Sequence, residues 1–138
     1  MIVRAHAAIW SGKLLVVHSE RRRGKTHFTL PGGRVNDRES VPLALRREVA
    51  EELGVEVEIG ELLFCAEVVS ATSRHELELI FAAETEQPLD DARIDMVDPG
   101  DPHVLVLPAV MPQLACLRDG IEPGLWIGNL YDRKLEEH

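Results

Sequence analysis

Four carboxylates and a guanidinium recur at fixed intervals in one short stretch of the chain: Glu39, then Arg47, Glu48, Glu51 and Glu52, framed by Gly33 and Gly54. At about 100° per residue, a helix through this stretch projects Glu48, Glu51 and Glu52 within a sector of about 100°. Crowded carboxylates repel one another and gain nothing unless cations are present. Hard divalent cations take oxygen ligands, and Mg2+ typically combines a few carboxylates with waters and substrate phosphates. Taken alone, an E-x-x-E-E cluster is usually a solvated acidic face. Joined to the two glycines, Glu39 and Arg47 in a strand–loop–helix context, it points to a metal site. Arg47 lies four residues before Glu51 and is placed to orient it through an i, i+4 pair.

The local sequence predicts how these groups are held. Pro31-Gly32-Gly33 follows the apolar Phe28-Thr29-Leu30 and ends it, since proline removes a donor and paired glycines allow φ > 0. Ser40 is a candidate N-cap, and Pro42 falls in the first turn, where its missing N–H costs little. The run that follows is rich in helix formers, and Gly54 stands where a helix terminates. A helix over about 41–53 results. Leu45, Val49 and Leu53 form an apolar stripe beside the acids that would anchor it to a core.

Around this unit, residues 2–10 and 14–18 read as a hairpin turning at Ser11-Gly12-Lys13. Residues 55–59 alternate with period two, a half-buried strand. Residues 61–70 and 76–83 are further strands joined by Ala71-Thr72-Ser73-Arg74. Residues 85–102 form a long excursion with one short strand. Pro108 opens a second helical pattern over 109–118, closed by Gly120. Residues 124–131 look extended, and a polar tail follows. The order predicts an α/β (α+β) layered domain without internal repeats.

With 138 residues the chain suffices for one domain with a sizeable core. It has no apolar run long enough to span a membrane, and its first residues lack the layout of a secretion signal. Cys65 and Cys116 lie in apolar surroundings without metal spacing, as reduced thiols of a cytoplasmic protein would. A net charge of −9 argues against duplex nucleic acid as a partner. It also sets a puzzle for a site handling anionic phosphates, which a bound cation resolves by reversing the local field. The exception to the acidity is a basic loop, Arg21-Arg22-Arg23-Gly24-Lys25, within reach of a substrate phosphate or simply solvated.

Residues 33–55, with Gly33, Glu39, Arg47, Glu48, Val49, Glu51, Glu52, Gly54 and Val55 at their spacings, resemble the Nudix box G-x5-E-x7-R-E-U-x-E-E-x-G-U without gap or substitution. A chance match is expected in fewer than about one window per hundred million. The resemblance implies an α/β/α sandwich with a mixed, curved sheet, the box forming loop–helix–loop. The box covers a sixth of the chain, and the flanking strands are compatible with the fold, so residues 1–134 are expected to form one Nudix domain with a polar tail at 135–138. The resemblance also implies a Mg2+-dependent hydrolase, Mn2+ being a substitute, that cleaves the pyrophosphate linkage of a nucleoside diphosphate derivative.

Glu48, Glu51 and Glu52 correspond to the motif's metal-binding and catalytic carboxylates, with Arg47 beside them. A carbonyl of Gly32 or Gly33 is a further candidate ligand, and Gly33, Glu39 and Gly54 hold the box in shape. Family members recruit one more acid from outside the box, for which Glu76, Glu78, Glu84 and Glu86 are the candidates. Arg21, Arg23, Arg34 and Phe28 are candidate substrate contacts, the last by stacking. His75, His103 and Trp126 are weaker ones, each with an ordinary structural explanation.

The proline of ADP-ribose hydrolases and the tyrosine of dinucleoside polyphosphate hydrolases are missing roughly sixteen positions beyond the box, where Ala71, Thr72 and Ser73 stand. A nucleoside triphosphate, cleaved to monophosphate and pyrophosphate, is therefore slightly favoured. ADP-ribose or a nucleotide sugar is the alternative, as is a non-catalytic nucleotide-sensing Nudix domain. The resemblance also allows a homodimer, with Leu125-Trp126-Ile127 as its candidate contact.

Overall fold

Leu15 and Val17 leave their strand on one side and Val16 on the other, and all three are fully buried. A strand buried on both faces must be covered on both. Two cores do this. One gathers Ala5, Ala7, Ile9 and Val16 with Leu45, Val49 and Leu53 of the first helix. The other gathers Ala8, Leu15, Val17, Phe64 and Ile80 with Met111 and Leu114 of the second. The architecture is therefore a three-layer α/β/α sandwich.

The computed structural model describes residues 1–72 and 74–131. Ser73 of the expected turn, and the expected 134/135 boundary with its polar tail, lie outside the described residues. In chain order the strands are β1 (Ile2–Ala8), β2 (Trp10–Ser11), β3 (Leu14–Arg22), β4 (Lys25–Thr29) and β5 (Gly32–Arg34). After helix α1 (Val41–Leu53) come β6 (Glu58–Val68), β7 (Glu76–Glu84), β8 (Ile94–Val97) and β9 (Val106–Leu107). Helix α2 (Met111–Arg118) and β10 (Trp126–Asn129) complete the order. One sheet runs β10-β6-β7-β1-β5, and the other β2-β3-β4-β9 with β8 on β3. The first is mixed: β1 is parallel to β7 and antiparallel to β5, and bulges in β6 curve it. No helix among the described residues is long and apolar enough to cross a membrane.

Helix α1 forms as its sequence predicts. The Ser40 hydroxyl accepts from the Leu43 N–H, Pro42 sits in the first turn, and Gly54 at φ 69° closes the last turn by donating to the Ala50 carbonyl. Elsewhere the structure corrects the sequence reading. Residues 2–10 are not one arm of a hairpin: only β2 pairs with β3, while β1 lies between β7 and β5 in the other sheet. The basic stretch 21–25 is not a loop, because Arg21 pairs with Thr26 and Arg22 with Lys25. Only Arg23 and Gly24 turn, both at positive φ, as a two-residue hairpin connection requires.

The strands expected at 55–59 and 61–70 are one strand, β6, which begins at Glu58. Gly60 does not break it. A Cβ there would stand 3.3 Å from the Ala82 carbonyl, so the glycine serves a close strand approach instead. Pro31-Gly32-Gly33 is partly strand, with Gly32 opposite His6.

Candidate functional site

Helix α1 carries three of the site's side chains, graded by depth: Glu51 is 59% exposed, Glu48 20% and Glu52 16%. The turn into β5 lies against them. The Gly32 N–H donates to Glu52 Oε1 at 2.9 Å. A Cβ on Gly33 would stand 2.7 Å from the Glu48 carboxyl carbon, so the glycine lets backbone lie directly beside that carboxylate. Gly32 thus reaches the site through its amide.

Arg47 ties the loop to the helix. Its Nε and Nη2 donate to the two oxygens of Glu39 at 2.8 and 2.9 Å, a bidentate fork. Nη1 donates to Glu48 at 3.0 Å, and Nη2 to the Arg34 carbonyl at 3.3 Å. Glu51 is only 3.5 Å from Nη1, so Arg47 orients Glu39 and Glu48 first and the expected i, i+4 partner least. Glu39 in turn accepts from the Asn36 N–H. The Arg47 guanidinium holds the Glu39 carboxyl below its usual range.

Glu52 moves the other way. Burial pushes its carboxyl up to about 7, and the charges of Glu48, Glu51 and Glu20 add to this while the Gly32 N–H opposes it. Beside its second oxygen stands a residue the sequence reading did not single out. His18 of β3 places Nδ1 3.1 Å from Glu52 Oε2, with its side chain 14% exposed. Burial lowers the His18 pKa, against the raising effect of Glu20. Period-two alternation could have found it, since Val16 faces α1 and His18 is two residues on. The sequence did not say which face that was.

The remaining candidates are dispersed. Glu78 is 3% exposed and bonded to His6 at 2.6 Å, and Glu76 lies 3.4 Å from Arg4 Nε. Glu84 and Glu86 are exposed beside Arg46, Glu56 and Glu58 on an open groove. Among the described residues none of the four acids bonds to Glu48, Glu51 or Glu52. Arg21 and Arg23 sit exposed at the β3–β4 hairpin tip, and Arg34 ends β5, also exposed. Phe28 packs on the α2-side core rather than on the α1 side. His75 pairs with Glu67, His103 lies on an exposed loop, and Trp126 is exposed on the edge strand β10.

The donor set fits a hard divalent cation. Three carboxylates crowd one helix face, a glycine leaves space beside Glu48, and the burial that lifts Glu52, together with the smaller repulsion from its acidic neighbours, is what a cation would offset. Glu48 is held by Arg47 and Glu52 by Gly32, and among the described residues no three acidic, histidine or cysteine side chains already close on one point.

Comparison with known proteins adds to this geometry. A family model described as NUDIX domain matches residues 2–105. Among solved structures, the E. coli ORF135 protein superimposes with a TM-score of 0.67 at 22% identity, over 86% of this chain and 89% of that one. A MutT NUDIX hydrolase from Burkholderia pseudomallei gives 0.64 at 24%, over 82% and 95%. An ADP-ribose pyrophosphatase from Streptococcus suis gives 0.64 at 19%, over 93% and 97%. A comparison with curated proteins finds no match.

Proposed function

On the premise that this chain belongs to the Nudix hydrolase family, as the match over residues 2–105 establishes, we propose that it is a Mg2+-dependent pyrophosphohydrolase of a small nucleotide. A nucleoside triphosphate, cleaved to monophosphate and pyrophosphate, is the favoured substrate, and residues 1–134 work as one unit. The observation that carries this reading is the placement of Glu48 and Glu52 against the Gly32-Gly33 turn with Glu51 beside them on the helix, and Glu52 lifted to about 7.

In this reading Glu48, Glu51 and Glu52 hold the cation. When bound, Mg2+ supplies Lewis-acid activation of water and neutralises charge on the phosphates. Arg47 keeps Glu48 turned toward the glycine backbone and ties the helix to Glu39, so the loop and the acids move as one body. The Gly32 N–H fixes one oxygen of Glu52 and leaves the other for the cation. In the overall reaction the water oxygen bonds to one phosphorus, the P–O–P bridge breaks at that phosphorus, and the phosphate on the far side leaves.

ADP-ribose or a nucleotide sugar is the second reading, because solved relatives of the same fold are named as an ADP-ribose pyrophosphatase and a UDP-X diphosphatase. Chromatography of products from triphosphates, ADP-ribose, nucleotide sugars and dinucleoside polyphosphates, with Mg2+ or Mn2+, tests both. Monophosphate plus pyrophosphate from one triphosphate is the expected result. Glu52→Gln should abolish that turnover while leaving the fold intact, and wild-type turnover in the variant would refute the assignment. Metal binding without product from any compound would instead mark a nucleotide-sensing domain.

A further inference from the structure

The second oxygen of the deepest carboxylate on α1 faces an imidazole nitrogen that, among the described residues, has no other partner. Glu52 Oε1 is taken by the Gly32 N–H at 2.9 Å, and Oε2 lies 3.1 Å from His18 Nδ1. The two groups are mostly buried, at 16% and 14% exposure, and come from different elements, α1 and β3. Although close, they form no hydrogen bond, and among the described residues the His18 ring forms none elsewhere. His6 and His75, by contrast, bond to Glu78 and Glu67 at 2.6 and 2.7 Å.

A nitrogen and an oxygen at ion-pair distance with no hydrogen bond between them are also spaced as neighbouring ligands of one ion are. Ligands about 2.1 Å from an octahedral cation and about 90° apart stand about 3.0 Å from one another. From this juxtaposition we propose that His18 Nδ1 is a ligand, together with Glu52 Oε2, of the cation at the acidic face of α1. The inference rests on the metal-site reading above and adds to it a nitrogen donor from outside the acidic helix.

The consequence is metal choice. Imidazole is a poor donor for Mg2+ and a good one for the later first-row divalent ions, so a His–carboxylate pair moves preference from Mg2+ toward them. Mn2+, which accepts both donor types, is the convenient probe.

The experiment uses the full chain and Mn2+ alone. Pulsed electron paramagnetic resonance of the Mn2+-loaded protein should show nitrogen-14 coupling from a directly bound imidazole, and His18→Asn should remove it. Titration should show Mn2+ affinity falling by at least about tenfold in His18→Asn, with Mg2+ affinity falling less. Melting curves of the variant without metal confirm that it is folded. Mn2+ that binds in a Glu52-dependent way without nitrogen coupling overturns this inference and leaves the metal site standing. Coupling that survives in His18→Asn comes from another histidine and also overturns it. Mn2+ uptake that is absent, or unchanged in Glu52→Gln, overturns the metal-site reading and this inference together.

Discussion

Removing the charge from Glu52 should stabilise the metal-free protein at alkaline pH while destroying its activity. Glu52 titrates near its ordinary 4.5 in the unfolded chain and at about 7 in the folded one, chiefly because burial penalises its ionised form. A folded-state value raised above the unfolded one contributes stability that is fully present below 4.5 and is lost as pH rises through about 7. Between about pH 5 and about pH 8 the loss amounts to about 2–3 kcal/mol for this one group. Glu52→Gln keeps an oxygen for the Gly32 N–H but has no charge to desolvate, so it should escape the loss.

The assay is thermal unfolding of both proteins in a chelator at several pH values across that range. All other titrating groups are common to the pair, so the difference between the two curves isolates Glu52. The variant should match or trail wild type near pH 5 and exceed it near pH 8, by roughly 5–10 °C in Tm at this chain length. A difference that stays constant within about 0.5 kcal/mol from pH 5 to pH 8 would refute the reasoning, because surface substitutions produce no more than that. Mn2+ or Mg2+ added at pH 8 should then raise the wild-type Tm and leave the variant's nearly unmoved, by linkage to a site that only one of them has.

Leu45→Ala should destabilise by about 2–5 kcal/mol in denaturant unfolding, since Leu45 is fully buried under α1; a loss below about 0.5 kcal/mol would mean the helix faces another way. Gly32→Ala and Gly33→Ala should part company. At Gly32, φ is 142° and a Cβ would stand 2.0 Å from the Ala5 carbonyl oxygen, so alanine should cost at least about 3 kcal/mol of stability. At Gly33 a Cβ meets only the end of the Glu48 side chain, so stability should change by less than about 1 kcal/mol while turnover falls at least about tenfold. Arg47→Lys keeps the charge but loses the fork on Glu39, and should lower Mn2+ affinity in a titration by about tenfold or more; affinity within twofold of wild type would confine Arg47 to the loop.

Where the sequence was legible, its signals were local. Helix α1 could be read to the residue because Ser40, Pro42 and Gly54 act within one turn of themselves. The strands were less so. β1 finds its neighbours at Glu76 and Gly32, far along the chain, and nothing near Ile2 says that the adjacent β3 will join the other sheet. The strands expected at 55–59 and 61–70 merge through Gly60, because glycine serves turns and close approaches alike and only the presence of Ala82 opposite decides between them. The same limit applies to the acids on β7. Period two put Glu76 and Glu78 on one face correctly, but that face carries Arg4 and His6 as partners from β1, which the alternation of β7 cannot contain.

The site divides along the same line. Its charges come from one helix and were evident from spacing alone. Which oxygen of each acid is left free depends on groups from elsewhere: the Gly32 amide on β5, Glu39 in the loop, which steers the Arg47 guanidinium of the same helix onto Glu48, and His18 on β3. A helix with the same acids on a sheet lacking those contacts would still be acidic, but its carboxylates would turn outward to water, since nothing would offset the burial that lifts Glu52. The glycine turn packs against two of the acids, Glu48 and Glu52. It brings backbone to within side-chain distance of Glu48 and an N–H to Glu52, a placement that residues with a Cβ at 32 and 33 would prevent. The spacing of the acids therefore sets where negative charge gathers, and the strands beneath decide which carboxylate oxygens are held.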